Sequence, residues 1–327
     1  MFKYIVKRTL ISIIIVFGVT FITYALFRMM PDNYVYTKFA GQAAANPNWE
    51  EQADRVMELY GLKSGVIEGY FTWLGGALKG DFGYSFIDGA EVTAKIKAAL
   101  PVSITMSLIV TVLQIVIAIP LGIKAAVNQY GAVDYATTVL TLLGISLPSF
   151  FFSGIMIKIF AVDLGWFDAS LGLQSGGFVG NSWQLFWNQA WHLVLPIFVS
   201  TVLSLGGLMR YTRTNMLEVL NSDYIRTARA KGVKKRSIIY KHAFKNTAIP
   251  LVTMFSGILA GLFMGSMIIE QIFGIQGIGY QSYYATTQGD IPFVMAYNTF
   301  IAVLTVLGIF LADILYAIVD PRVKLEH

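Results

Sequence analysis

The residues with the most chemical potential in this chain are not a catalytic set. The densest group is Asp223 to Arg236, DYIRTARAKGVKKR, with six positive charges, one negative charge and a glycine near its middle. Such a stretch suits docking to a partner, or simply holding a loop on one side of a membrane. Nucleic-acid binding is disfavoured, because topology alone accounts for the sign of the charge. Gly144-Ile145-Ser146 superficially fits the turn of an intramembrane serine nucleophile, which would need a histidine base within hydrogen-bond reach. His192, His242 and His327 all lie outside the deep apolar runs, and Leu147 stands where that turn would want glycine. Gln114, Ser146 and Asn298 are polar residues inside apolar stretches. They are candidates for lining a polar path, or for ordinary interhelical hydrogen bonds. Gly257, Gly261 and Gly265 repeat every four residues, a spacing that lets helices approach closely. The chain has no cysteine, so thiol, disulfide and cysteine-metal chemistry are excluded, and no metal site is expected.

These groups need elements to hold them, and composition says where those elements sit. Charged residues make up 13% of the chain and hydrophobic ones 56%, against about 25% charged in an ordinary soluble domain. Six segments are apolar enough to cross a bilayer, which takes about 20 residues: Thr9–Phe27, Ala98–Ile123, Tyr135–Ile157, Leu193–Met209, Leu251–Ile269 and Phe293–Leu311. The first is too long for a signal-peptide core and lacks a small-residue cleavage site, so it reads as a retained span. Pro148 is placed to kink the third. The scarcity of charge inside the spans argues against a proton- or sodium-driven carrier.

Loop charges give an orientation. The stretch 210–248 carries ten positive residues against Glu218 and Asp223, whereas the first loop, 31–97, is on balance acidic. The positive-inside rule then places the N-terminus, the basic loop and the C-terminus in the cytoplasm. The expected architecture is an all-α polytopic membrane protein of six transmembrane helices. Residues 1–30 form the N-terminal region and first span, 31–97 an external loop with short helices, and 98–327 a five-span core that contains the loop 210–248.

Within that loop, Asn221 or Ser222 is placed to cap a helix starting at Asp223, and Gly232 to terminate it. A helix of about nine residues is too short to stand alone. Ile225, Ala228 and Gly232 would give it a narrow face open to close approach by a partner. In the first loop, Asn48 and Glu51 fit a capping box. Ala53, Val56, Met57 and Tyr60 share a helical face, and Gly61 ends that helix. Tyr70, Phe71, Trp73 and Leu74 form an aromatic cluster, open to packing on neighbouring spans or to contact with a partner. Trp183, Trp187 and Trp191, four residues apart, read as an interfacial anchor.

Several stretches in order along the chain carry a resemblance: YIVKRTL at the start, GDFGYS from Gly80, IPLGIKAA at the end of the second span, DYIRTARAKG followed by KHAFKNTAIP, IIEQIFGIQGIG after the fifth span, and ADILYAIVDPR near the end. Together they resemble the permease subunits of ATP-binding cassette (ABC) importers, in the oligopeptide and dipeptide branch, and most closely the first (B-type) permease. The basic loop resembles that family's EAA loop, though Arg226, Thr227 and Ala228 stand where the general motif has Glu-Ala-Ala.

The resemblance implies a type I importer architecture in a bacterial cell membrane, with peptides moved through a pathway of which this chain forms half. It implies that Asp223, Tyr224, Arg226, Thr227, Ala228, Arg229 and Gly232 belong to a coupling helix gripped by a cytoplasmic ATPase. The chain has no phosphate-binding loop and no Gly-Lys dipeptide, so ATP and Mg are expected on two separate ATPase subunits. A second permease chain, an extracytoplasmic solute-binding protein and membrane lipid complete the expected partners, with no nucleic acid among them. The alternatives are a secondary transporter or channel and, more remotely, the serine protease.

Overall fold

The computed structural model describes residues 2–31, 33–41, 43–44, 47–168, 172–174, 178–248, 251 and 261–319. Among these residues the chain is helical, apart from a single bridge between Tyr84 and Glu91. The first long helix is α1 (Phe2–Arg28), followed by the short helices α2 (Tyr34–Ala40), α3 (Trp49–Leu59) and α4 (Val66–Ala77). The core contains α5 (Val92–Val127), α6 (Ala132–Ser146) and α7 (Ser149–Met156), the last continuing as π-helix through Ile157–Asp163. Then come α8 (Ser182–Leu220), α9 (Asp223–Ala230) and α10 (Lys235–Ser237), with α10 also running on into π-helix over Ile238–Ala243. The chain closes with α11 (Met267–Ile272), α12 (Ile278–Gln288) and α13 (Ile291–Val319).

Four of the described helices are long and apolar enough to cross a membrane: α1 over Lys7–Arg28, α5, α8, and α13 over Ile291–Phe310. A fifth span is counted if α6 and α7 are taken together. This revises the third of the six expected spans, while most of the fifth lies outside the described residues. The third is not one straight helix, because α6 and the α7 segment meet at 108°. The cause is local. Pro148 has no N–H to donate, and the residue before a proline is pushed out of the helical region. Leu147 accordingly sits at φ −80°, ψ 126°. The fifth expected span, Leu251–Ile269, has residues 252–260 outside the described part, and its described end breaks at Gly265–Ser266 before α11 begins.

The core is built on α5 and α8, which run parallel. Met106 packs with Leu195 and Val199 at one end, Ala118 with Leu208 and Met209 in the middle, and Ile123 and Ala126 with Met216 and Leu220 at the other end. α6 lies antiparallel on α8. Small residues bring these helices together. A Cβ on Gly122 would stand 2.8 Å from the Met209 carbonyl oxygen, and one on Gly206 2.9 Å from that of Thr141. Gly144 faces the Val202 carbonyl in the same way, at 3.1 Å. The tight helix packing therefore rests on Gly122, Gly144 and Gly206. Of the glycines expected to do this, Gly257 lies outside the described residues, Gly261 has open space where its Cβ would be, and Gly265 is a break in the chain.

α2–α4 fold over the end of α1. Tyr24, Phe27, Val35, Phe39, Ala53, Val56, Tyr60, Tyr70 and Trp73 form one buried cluster that also takes in Met295 of α13. Ala53, Val56 and Tyr60 face inward as their spacing predicts, and Gly61 follows with φ 56°. Tyr70 and Trp73 pack on Tyr24, Phe17 and Phe21 of α1 and its neighbours, so packing accounts for most of the aromatic cluster; Phe71 stays exposed. Arg28 closes α1 by donating to the carbonyls of Leu62 (2.5 Å) and Ser64 (2.9 Å).

Two caps differ from expectation. Asn48 occupies the N-cap of α3 at φ −97°, ψ 20°, outside the extended region a capping side chain needs, and makes no cap bond. The capping box that does form is Asn181 with Gln184, at the head of α8.

Candidate functional site

α9 follows directly from the end of α8. Ser222 has the extended backbone of an N-cap, but its hydroxyl donates back to the Val219 carbonyl at 2.6 Å, so it closes α8 and does not cap α9. Asp223 and Arg226 instead make a loose exposed pair at 3.5 Å, worth little. The C-terminus is firmly built. Val233 N–H donates to the Ala228 carbonyl (3.2 Å) and Gly232 N–H to that of Arg229 (3.0 Å), with Gly232 at φ 75°. This is a Schellman stop, and it needs a residue tolerant of the left-handed region.

The two faces of α9 divide differently from the expectation. Ile225 is fully buried and Ala228 half-buried, packed in a cluster with Ile123, Met216, Leu220, Ile238 and Ala243 of the same chain. That face anchors the helix and is not open to a partner. Tyr224, Arg226, Thr227, Arg229, Ala230 and Lys231 are exposed. Beside them a groove of about 530 Å³ opens between α9, the end of α8 and the α5–α6 turn, with Asn128, Asn221, Arg229 and Lys235 on its walls.

The support behind α9 is stiff. α8 is one unbroken helix of 39 residues, roughly 58 Å long at 1.5 Å per residue. Arg213 braces it to α6, reaching both oxygens of Asp134 at 2.5 and 2.8 Å, and Tyr130 N–H donates to the same carboxylate at 2.9 Å. The brace was legible only as charges flanking apolar runs: Asp134 just precedes Tyr135, and Arg213 follows Met209 by four residues.

At the far end of the core the sequence reading missed two buried carboxylates. Glu270 accepts from Ser103 Oγ (2.8 Å), Ser266 N–H (3.0 Å) and Tyr280 N–H (2.9 Å), while Ser103 Oγ accepts from Ile278 N–H (2.8 Å). The knot ties α5 to α11 and α12. Gly265 completes it: φ is 70°, and a Cβ there would lie 2.7 Å from both Glu270 Oε1 and Gly279 N. Asp290, at the start of α13, accepts from Ser85 Oγ (2.5 Å) and Phe86 N–H (2.9 Å), pinning the GDFGYS stretch to the core. Burial pushes the Asp290 carboxyl above the usual range, against the lowering effect of those bonds and of nearby Lys95.

The expected path residues stand on three helices, and no hydrogen bond joins them. Gln114 of α5 donates to the Ser204 carbonyl of α8 at 2.8 Å, an interhelical bond. Ser146 is the exposed last residue of α6, and Asn298 is half-buried on α13. His192 Nδ1 lies 2.8 Å from the Asn188 carbonyl and its Nε2 3.8 Å from Asp168, so its polar contacts are elsewhere than Ser146. Trp183, Trp187 and Trp191 are exposed along the start of α8, as an interfacial anchor would be.

Comparison with known proteins places this geometry. The family model described as "Binding-protein-dependent transport system inner membrane component" matches residues 118–325, and its N-terminal companion matches residues 1–108. The oligopeptide transport system permease protein AppB of Bacillus subtilis is 38% identical over 327 residues, covering 99% of this chain and 100% of that protein. Oligopeptide transport system permease protein OppB of Haemophilus influenzae is 33% identical (99% and 100% covered), and dipeptide transport system permease protein DppB of Bacillus subtilis 31% (100% and 99%). With a family model covering residues 118–325 and relatives aligned end to end, the chain belongs to the binding-protein-dependent transport system inner membrane component family, as a membrane permease.

Proposed function

We propose that this chain is one of two permease subunits of an ATP-driven peptide importer. It supplies half of the translocation pathway and is coupled to separate ATPase subunits through α9. The relatives' names support the peptide substrate. The observation that carries the coupling role is the division of α9 into two faces. Ile225 and Ala228 hold it to the chain's own core, while Tyr224, Arg226 and Thr227 are exposed on the outer side. A helix held on one side and bare on the other is a handle. Closure of an ATPase dimer gripping it would move α8, and α8 carries α6 through the Asp134–Arg213 brace and α5 through the Gly122 contact. In this reading the basic end of the bundle is cytoplasmic, ATP and Mg lie on the ATPases, and a solute-binding protein delivers peptide at the other end.

The test uses the complex purified from membranes. It should contain an ATPase and a second permease. Thr227→Trp, on the outer face, should lower peptide-stimulated ATP hydrolysis by about tenfold, the effect of ~1.4 kcal/mol lost at a docking surface, and leave the helical signal unchanged. An unaltered stimulated rate in that variant, or uptake by the chain unaided, would overturn the proposal.

A further inference from the structure

A small pocket of about 280 Å³ lies between α6 and α8, lined by Thr137, Thr138, Thr141, Leu142, Met209, Arg210 and Arg213. It lies just below the volumes of small-molecule sites, roughly 300–1,000 Å³. Its charge is unbalanced. Asp134 is committed to Arg213 and to Tyr130 N–H. Arg210 is exposed, with no ion pair among the described residues. The hydroxyls of Thr137 and Thr138 both donate to the Asp134 carbonyl, at 3.0 and 2.8 Å, fixing their rotamers along one side. The pocket thus offers one exposed guanidinium, Arg210, beside a second already paired with Asp134, in a lining that is mainly apolar.

Its position identifies what would fill it. The apolar run of α8 ends at Met209, one residue before Arg210, and that of α6 starts at Tyr135, one residue after Asp134. The pocket therefore sits at the edge of the hydrocarbon. The surface above it is apolar and open: Val139, Leu140, Leu142 and Leu143 of α6 are all exposed. A ligand with an anionic head and an apolar tail matches both parts. Basic pockets between transmembrane helices at the membrane edge bind anionic headgroups.

We propose that the α6–α8 pocket is a binding site for the headgroup of an anionic phospholipid, with Arg210 as its main contact to the phosphate and Leu142 beside the acyl chains. The proposal does not depend on the coupling role of α9.

The test reconstitutes the full chain, with the subunits that co-purify with it, in nanodiscs of mixed phosphatidylglycerol and phosphatidylcholine. The lipid retained after detergent extraction is then read by native mass spectrometry. Wild type should retain phosphatidylglycerol in preference to phosphatidylcholine. Arg210→Gln should weaken that retention about fivefold, the effect of one basic residue at a membrane surface, and Arg210→Lys should keep most of it. Arg236→Gln, which removes a charge from the same end outside the pocket, should change nothing. Equal retention by wild type and Arg210→Gln overturns the proposal. So does displacement of the lipid by inorganic phosphate alone at millimolar concentration, which would make the pocket a free-oxyanion site. An intact complex on size exclusion shows that each variant is folded.

Discussion

Gly232 adopts φ 75° at the end of α9, and its missing side chain would meet nothing within 4 Å. The only penalty for a side chain there is conformational, about 1–2 kcal/mol for most residues and less for asparagine. Gly232→Asn should therefore keep peptide uptake, and Gly232→Val should lose much of it by unwinding the end of the proposed handle, with assembly of the complex unchanged. Uptake assays on the two variants check this. Asp290 gives a pH signature. Burial raises its carboxyl in the folded protein above the unfolded value of about 3.9. Between those two values the folded state holds more protons than the unfolded state, so its contribution to stability is complete below about pH 3.9 and is lost as pH rises through the raised value. The thermal midpoint of wild type relative to Asp290→Asn should fall across that window. A flat difference would show that the Ser85 and Phe86 bonds offset the burial entirely.

At the scale of elements, the brace between α6 and α8 is the clearest energetic statement. Arg213 and Asp134 share two charge-assisted hydrogen bonds, and the Asp134 side chain is 5% exposed. A double-mutant cycle with Asp134→Asn and Arg213→Gln should give a coupling energy of about 1.5–3 kcal/mol in thermal or denaturant unfolding, the range for hydrogen bonds to charged groups. The elements themselves were largely legible. The short helix ending at Gly232 and the inward face of α3 follow from local spacing, which is all that a cap or an amphipathic stripe requires. The partners of those faces were not legible. Ile225 looked available because nothing local says that Met216 and Ile238 will return to cover it. Glu270 looked like a loop residue because its donors, Ser103 and Tyr280, come from distant or differently folded stretches. Glycines spaced every four residues suggested packing at Gly261 and Gly265, while the contacts that pack α5, α6 and α8 use Gly122, Gly144 and Gly206, which show no such period.

Over the whole molecule, two buried carboxylate knots and an aromatic layer fix the end that carries α2–α4, and a bare short helix marks the opposite end. Among the described residues the apolar helices between them are interrupted at Gly265–Ser266 and most sharply at Leu147–Pro148. There the third predicted span turns through 108° at Leu147–Pro148. A proline nitrogen offers nothing to the carbonyl one turn back, on Gly144, and oil offers it nothing either. Water, or a polar group from another helix, must reach that corner, so the Gly144 carbonyl itself cannot face acyl chains alone.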